Sequence, residues 1–142
     1  ARVPLIIRFP QHFEPITVRE NVNLCDLFAT LCDLVDVPCP SGLDSRSLVS
    51  LMTGQNDDWS NETVSQFGST NLMIKQDHLK YQYYGRNGPE VLFNLKIDPS
   101  ETKNFIDHPD YTDAVKQFRQ RLSQLGHGPD ANAAYINAGY SL

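Results

Sequence analysis

Three cysteines, Cys25, Cys32 and Cys39, are interleaved with Asp26, Asp33 and Asp36, and an Asp44-Ser45-Arg46-Ser47 cluster follows them. Thiols and carboxylates at such density can hold a metal ion, form a redox pair or supply a nucleophile. The spacing argues against each use. Cys25 and Cys32 are seven apart. On a helix that is one face and two turns, about 10 Å of rise, too far for a disulfide or one shared ion. An odd cysteine count leaves no fully paired disulfide set within the chain. The cysteines therefore read as small buried apolar side chains.

The remaining chemistry-bearing residues are scattered. His12, His78, His108 and His127 all stand in predicted loops or turns, and no pair has metal-ligand spacing. Asp57 and Asp58 are adjacent, so their side chains point apart and read as solvated loop charge. No G-x-S-x-G elbow, G-x-G-x-x-G turn or phosphate loop is present. The run 77–84, DHLKYQYY, mixes aromatic with basic residues, but alternation on a strand makes it half core and half surface, not a stacking platform for bases. Asn61-Glu62-Thr63 is a glycosylation sequon, informative only for a chain secreted by a eukaryote. His78, Arg86 and Asn87 sit in loops that could reach a pocket, with ordinary turn surface the plainer reading. The residues alone thus supply no catalytic or metal-binding set.

What must position these residues is a chain of 142 amino acids with net charge −5 and 40% apolar content. That suits one domain, or one piece of a larger one, able to remove roughly 70% of its surface from water. No basic run favours nucleic acid, and no apolar run is long enough to span a bilayer. The chain opens on an apolar run without an initiator Met, which reads as a fragment; compartment cannot be taken from the missing leader.

Residues 3–9, VPLIIRF, predict a strand covered on both faces, near an edge at Pro4. Leu24, Leu27, Phe28, Leu31, Leu34 and Val35 form the apolar stripe of a helix capped by Asn21 or Asn23 and stopped by Pro38. Asp26, Asp33 and Asp36 then fall on its wet face. A short helix follows, capped by Asp44, Ser45 or Ser47 and ended by Gly54. Four strand-like runs, TVSQFG, NLMIKQ, LKYQYY and EVLFNL, are separated by turn chemistry and predict an antiparallel meander. A second amphipathic helix carries Tyr111, Ala114, Val115, Phe118, Leu122 and Leu125, with Asp107 as cap and Gly126 as terminator. The tail from His127 has no period. Two stages emerge: a strand-helix part, 1–58, that needs a larger sheet, and a meander-helix part, 59–142, that can close its own small core.

In order, Arg2-Val3-Pro4, Asp26-Leu27-Phe28 with Thr30, Leu43-Asp44 with Arg46-Ser47-Leu48, Lys80-Tyr81, Leu92-Phe93-Asn94-Leu95, and Asp98-Pro99 with Glu101 and Asn104 resemble the C-terminal part of a sulfatase. The family pattern runs R-V-P-h-h-h-R-x-P, D-h-F-P-T-h-x-D-h-x-G-h-x-x-P, L-D-G-R-S-L, K-Y, then E-L-Y/F-D-L-x-x-D-P-x-E-x-x-N-L. The likeness covers residues 2 to 125; Ala29 stands for the usual Pro, Ser45 for Gly, Asn94 for Asp and Gln11 for Gly. Ser45 either relaxes its turn or takes an unusual φ.

The resemblance implies an alkaline-phosphatase-like α/β fold: a late strand and helices of the large sheet domain, then a small antiparallel sheet with a packed C-terminal helix. It implies sulfate ester hydrolysis by a formylglycine, made from the Cys or Ser of C/S-x-P-x-R, beside a calcium-type divalent ion. Cys25, Cys32 and Cys39 are followed by DLFA, DLVD and PSGL, so that motif is absent here, and with it the family's nucleophile. The resemblance places the metal carboxylates upstream of the R-V-P segment. The expected role is to complete the fold and wall the pocket, with the N-terminal catalytic part as partner, a sugar or small-molecule sulfate ester as substrate, and a periplasmic, secreted or lysosomal location. Oligomers are compatible with it. A phosphonate or phosphate ester hydrolase of the same superfamily, or a non-catalytic interaction module, are the alternatives.

Overall fold

The computed structural model describes residues 3–55 and 58–128; expectations resting on Arg2, Asp57 and the tail beyond Gly128 lie outside the described residues. The chain divides between Asn61 and Glu62 into two units. The first is held by side-chain hydrogen bonds around two helices, the second by a sheet and the helix that covers it.

In the first unit, residues 3–9 keep the period-two exposure of a strand: Leu5, Ile7 and Phe9 are half-buried, while Ile6 is 91% exposed. They form no ladder, contrary to the expected strand. A strand exists only through a paired neighbour, and no described segment supplies one. The run ends where His12 and Phe13 N–H both donate to the Phe9 carbonyl at 3.0 Å.

Helix α1 spans Asp26–Leu34. Neither Asn21 nor Asn23 caps it; Cys25 occupies the N-cap in helical conformation, with no side-chain cap. The expected wet face holds at Asp33 and Asp36, which are exposed, and fails at Asp26, which is buried. Asp26 and Thr30 are each 1% exposed, whereas Leu24, Phe28, Leu31 and Val35 are at least half exposed. The cysteines correct the sequence reading too: Cys25 and Cys39 are exposed and Cys32 is half-buried, none fully inside.

α1 ends as a Schellman motif, with Val37 N–H on the Cys32 carbonyl at 2.9 Å and Asp36 N–H on the Asp33 carbonyl at 3.3 Å. Asp36 takes the left-handed position with φ 54°, and Pro38 follows. In the sulfatase-like pattern this is the glycine position. Helix α2 is only Val49–Met52 and ends the same way on Gly54, with Gln55 N–H donating to the Ser50 carbonyl at 2.7 Å. Of the candidate caps, Ser47 is the one engaged, its Oγ accepting from Val49 N–H at 3.2 Å.

The second unit follows the meander expectation closely. Strands β1 (Glu62–Phe67), β2 (Asn71–Gln76), β3 (Leu79–Tyr84) and β4 (Glu90–Asn94) pair antiparallel in sequence order. The register sets Leu72 opposite Tyr83, Ile74 opposite Tyr81 and Tyr81 opposite Leu92, so one face of the sheet is apolar. Helix α3 (Thr112–Gln124) covers that face with Val115, Phe118 and Leu122. Phe118 stacks on Tyr81 at 5.4 Å between ring centroids, with 7° between planes. Arg121 forks onto Glu62 at 2.8 to 3.1 Å and ties α3 to the start of β1.

Two details differ from the sequence reading. Asp107 does not cap α3. A 3-10 turn at Pro109–Tyr111 intervenes, and the His108 side chain accepts from Asp110 N–H at 3.3 Å instead. The C-terminal end does follow expectation: Gly126 has φ 75°, and His127 N–H closes on the Leu122 carbonyl at 3.0 Å.

The strain at Asp36 yields a measurable expectation. Asp36→Gly removes the Cβ penalty of a left-handed residue and should stabilise the chain by about 0.5–1 kcal/mol in denaturant unfolding, while Gly54→Ala, at φ 76°, should destabilise it by a similar amount. Equal midpoints for Asp36→Gly and wild type would contradict the assigned turn.

Candidate functional site

The residues that drew attention as possible chemistry assemble into a polar clasp. α1 presents Asp26, Thr30 and Asp33 on one face, at the i, i+4, i+7 spacing of a single helical side. Opposite lies the segment 45–48. Asp26 Oδ1 accepts from Arg46 N–H at 3.0 Å, and its Oδ2 accepts from Asn23 N–H at 2.8 Å. Thr30 Oγ1 donates to the Asp26 carbonyl at 2.6 Å and accepts from Leu48 N–H at 2.9 Å. Ser47 Oγ donates to Asp33 Oδ2 at 2.6 Å. Ser45 Oγ donates to the Cys25 carbonyl at 2.7 Å and accepts from Ala29 N–H at 2.9 Å, inserting into the first turn of the helix. Ser45 has no positive φ, so the family's glycine is replaced here by a hydroxyl that bonds and not by a strained residue.

Arg46 extends the clasp. Its guanidinium lies 3.9 Å from the centroid of the Trp59 ring and donates to Ser60 Oγ at 2.7 Å. Trp59 Nε1 donates to the Asn21 carbonyl at 3.0 Å. Asn21 and Asn61 bond reciprocally: Asn61 Oδ1 accepts from Asn21 N–H at 2.6 Å, and Asn21 Nδ2 donates to the Asn61 carbonyl at 2.9 Å. The sequon asparagine is therefore part of a latch. The signal for the clasp was present in the sequence as polar residues at 26, 30 and 33 on one helix side, but hydrophobic periodicity assigned that side to water.

The second unit carries its own polar lock. Asn104 Oδ1 accepts from Leu92 N–H at 2.9 Å and from Ile106 N–H at 3.0 Å, and Phe105 N–H donates to the Leu92 carbonyl at 2.8 Å. Asn104 thus stands in for a strand residue along the outer edge of β4. Asp98 shapes the preceding turn by accepting from Lys103 N–H at 2.8 Å and Thr102 Oγ1 at 3.1 Å. The Lys103 N–H bond, above all, holds its carboxyl below the ordinary 3.8. Glu101, at φ 55°, pairs with Lys80 of β3. Glu90 Oε2 accepts from the Tyr81 hydroxyl at 2.7 Å and from Arg119 Nε at 2.8 Å. Burial first, then this bond to Glu90, pushes the Tyr81 phenol well above its usual range, so it stays a neutral donor.

The remaining candidates do not converge. His78 lies in the two-residue turn between β2 and β3, whereas Arg86 and Asn87 lie between β3 and β4. Those turns are at opposite ends of the sheet, about 20 Å apart by strand rise, so the three cannot line one pocket together. His12 rests on Phe9 with ring centroids 4.3 Å apart, and His108 serves the turn before α3. Among the described residues no group of three or more His, Cys, Asp or Glu could hold a metal ion. The resemblance places the ligands of the divalent ion upstream of these residues, in the N-terminal part. No described helix is long and apolar enough to cross a membrane. The first unit does contain an apolar hollow of about 780 Å³, lined by Leu5, Ile7, Phe9, Phe13, Val18 and Leu51 among others.

Comparison with known proteins gives this arrangement a context. Residues 1–128 match the family model described as N-sulphoglucosamine sulphohydrolase, C-terminal. The Delta 4,5-hexuronate-2-O-sulfatase of Bacteroides thetaiotaomicron is 28% identical over 133 residues, 86% of this chain and 28% of that protein. Human arylsulfatase K is 28% identical over 153 residues, 94% of this chain and 27% of that protein. In fold, the phosphonate monoester hydrolase of Agrobacterium radiobacter superposes with TM-score 0.59 at 22% identity, over 70% of this chain and 24% of that one. The chain thus spans about a quarter of the length of the relatives it matches.

Two expectations follow from the clasp and the Asp98 turn. Asp26→Ala leaves two backbone N–H groups without their buried acceptor and should cost about 2–4 kcal/mol in urea unfolding; Asp33→Ala, at an exposed bond, should cost under about 0.5 kcal/mol. Because the folded Asp98 carboxyl sits below 3.8, its stabilisation is present above that value and is lost as pH falls through the lower folded one. Asp98→Asn should flatten this acid limb when unfolding midpoints are measured from pH 6 to pH 2, pH values bracketing the ordinary carboxylate range.

Proposed function

Because the chain belongs to the sulfatases, as the C-terminal portion typed by the N-sulphoglucosamine sulphohydrolase family, we propose that it completes a sulfate ester hydrolase and walls one side of its pocket. The observation that carries this reading is the family match across residues 1–128, together with a helix whose apolar stripe faces outward. The Asp26 clasp fixes α1 from its polar side. That leaves Leu24, Phe28, Leu31 and Val35 free to pack against the sheet of the N-terminal catalytic part, and the hollow beneath residues 5–18 offers a second apolar contact. We assign 1–58 to the large α/β domain and 59–142 to the small C-terminal domain.

In this reading the nucleophile and the divalent ion reside in the N-terminal part. When present, the formylglycine and its ion supply the attacking oxygen and neutralise the sulfate. In this reading the described residues bind neither; they hold the fold in register around them. The hexuronate 2-O-sulfatase among the relatives supports a sugar sulfate as substrate, and the relatives fit a secreted, periplasmic or lysosomal setting. A phosphonate ester is the second reading, favoured by the likeness in fold to the phosphonate monoester hydrolase.

The isolated chain should give no turnover of an aryl sulfate above background. The longer protein that contains it should hydrolyse the sulfate, with kcat/KM for aryl sulfate exceeding that for an aryl phosphonate by at least about tenfold, or roughly 1.4 kcal/mol. A preference for the phosphonate would reverse the two readings, and turnover by the isolated chain would overturn both.

A further inference from the structure

Asn87-Gly88 is the only Asn-Gly pair in the chain, and it occupies the turn between β3 and β4. Gly88 N–H donates to the Gly85 carbonyl at 3.1 Å, which closes a four-residue turn with Arg86 and Asn87 at its centre. The fold requires glycine at 88. A Cβ there would lie 2.1 Å from the Tyr84 carbonyl oxygen, inside the backbone of the preceding strand. Glycine is also the residue least able to shield its own nitrogen. The constraint that shapes the turn therefore bares that nitrogen to the side chain before it. Asn87 is exposed, and its carboxamide makes no hydrogen bond among the described residues. Other asparagines are held. Asn94 donates to the Tyr111 hydroxyl at 2.8 Å and accepts from Lys96 N–H at 3.0 Å, Asn104 accepts from Leu92 and Ile106 N–H, and Asn21 and Asn61 bond each other. Each of these is followed by a residue that carries a side chain.

We propose that Asn87-Gly88 is a self-modification site, where the Asn87 amide is lost as ammonia and the turn is rebuilt as aspartate and isoaspartate. The Gly88 nitrogen gives up its proton to solvent and attacks Asn87 Cγ. The new N–Cγ bond closes a five-membered succinimide. The bond from Cγ to the amide nitrogen breaks, and ammonia leaves with a proton taken back from solvent. Water then opens the ring. Addition at Cγ restores the ordinary peptide with an aspartate; addition at the main-chain carbonyl carbon leaves the chain running through Cγ as isoaspartate. No electrons are exchanged: one water is taken up and one ammonia released. The turn bond sets the rate, because Gly88 N–H must leave the Gly85 carbonyl before its nitrogen can reach Cγ. Opening one such bond slows the step about fivefold relative to the unfolded chain, which delays the reaction without preventing it. Isoaspartate adds a methylene to the backbone where Gly88 already lies against Tyr84, so it loosens the bond from Tyr84 N–H to the Pro89 carbonyl at 3.3 Å. Either product places a negative charge beside Arg86. The modification belongs to the turn and does not depend on which ester the longer protein cleaves.

The test incubates the full chain in mildly alkaline buffer, folded and in parallel unfolded in urea, and then digests it with a protease that cuts after lysine. Peptide 81–96 carries both Asn87 and Asn94, so the second asparagine is the internal control of the first. Fragmentation of that peptide by mass spectrometry locates the change, and isoaspartyl methyltransferase labelling identifies the isoaspartate. The expected result is isoaspartate and aspartate accumulating at 87 with Asn94 intact, and folding slowing the conversion by less than about tenfold. Asn87→Gln, at an exposed turn position, should remove the isoaspartate label from this peptide. The proposal is overturned if folding slows conversion at 87 by more than that factor, if another described asparagine converts first, if 87 yields aspartate without isoaspartate, or if the label persists in Asn87→Gln.

Discussion

One buried carboxylate organises the first unit. Asp26 is 1% exposed, and its two oxygens take the N–H groups of Asn23 and Arg46. A carboxylate taken out of water is tolerated only when its lone pairs are occupied, and the positive end of α1 favours the charge at this place. Thr30, one turn on, repeats the arrangement with Leu48. The segment 45–48 cannot shift along α1 without stripping a buried acceptor from a buried donor. The clasp therefore fixes register where hydrophobic packing alone would tolerate slippage.

The consequence for the helix is an inversion of the usual arrangement. An amphipathic helix ordinarily turns its stripe inward, and here the inner side is already occupied by hydrogen-bonded polar groups. Among the described residues, the buried apolar ones of this unit are Ala29, Leu48 and Leu51, against nine in the core of the second. The second unit closes around stacked Tyr81 and Phe118, with Phe67 and Ile97 left exposed, whereas the first leaves Ile6 and the outward helix residues Phe28 and Leu31 exposed around a smaller buried set.

The parts that sequence revealed are those governed by local rules. The four strands of the meander, the two-residue turn at Asp77-His78 and the Gly54 and Gly126 helix ends all follow from alternation and turn chemistry within a few residues. What escaped depends on partners far along the chain. Whether residues 3–9 pair into a strand is decided by another segment, not by their own composition. Asp26 looked solvated because its donor Arg46 N–H is twenty residues away, and Thr30 looked likewise because its donor Leu48 N–H is eighteen away. Asp107 looked like a cap because the turn at Pro109 was invisible to periodicity. The family pattern located the important positions, Asp26, Thr30, Arg46 and Asn104, without saying why they matter. The hydrogen bonds supply the reason: they are joints between segments, not reacting groups.

The outer side of β4 is already occupied by the Asn104 side chain and the Phe105 backbone, while β1 has a described neighbour only in β2. The sheet is accordingly directional. Any extended segment recruited by backbone pairing must arrive at β1, and elongation from the opposite border is foreclosed.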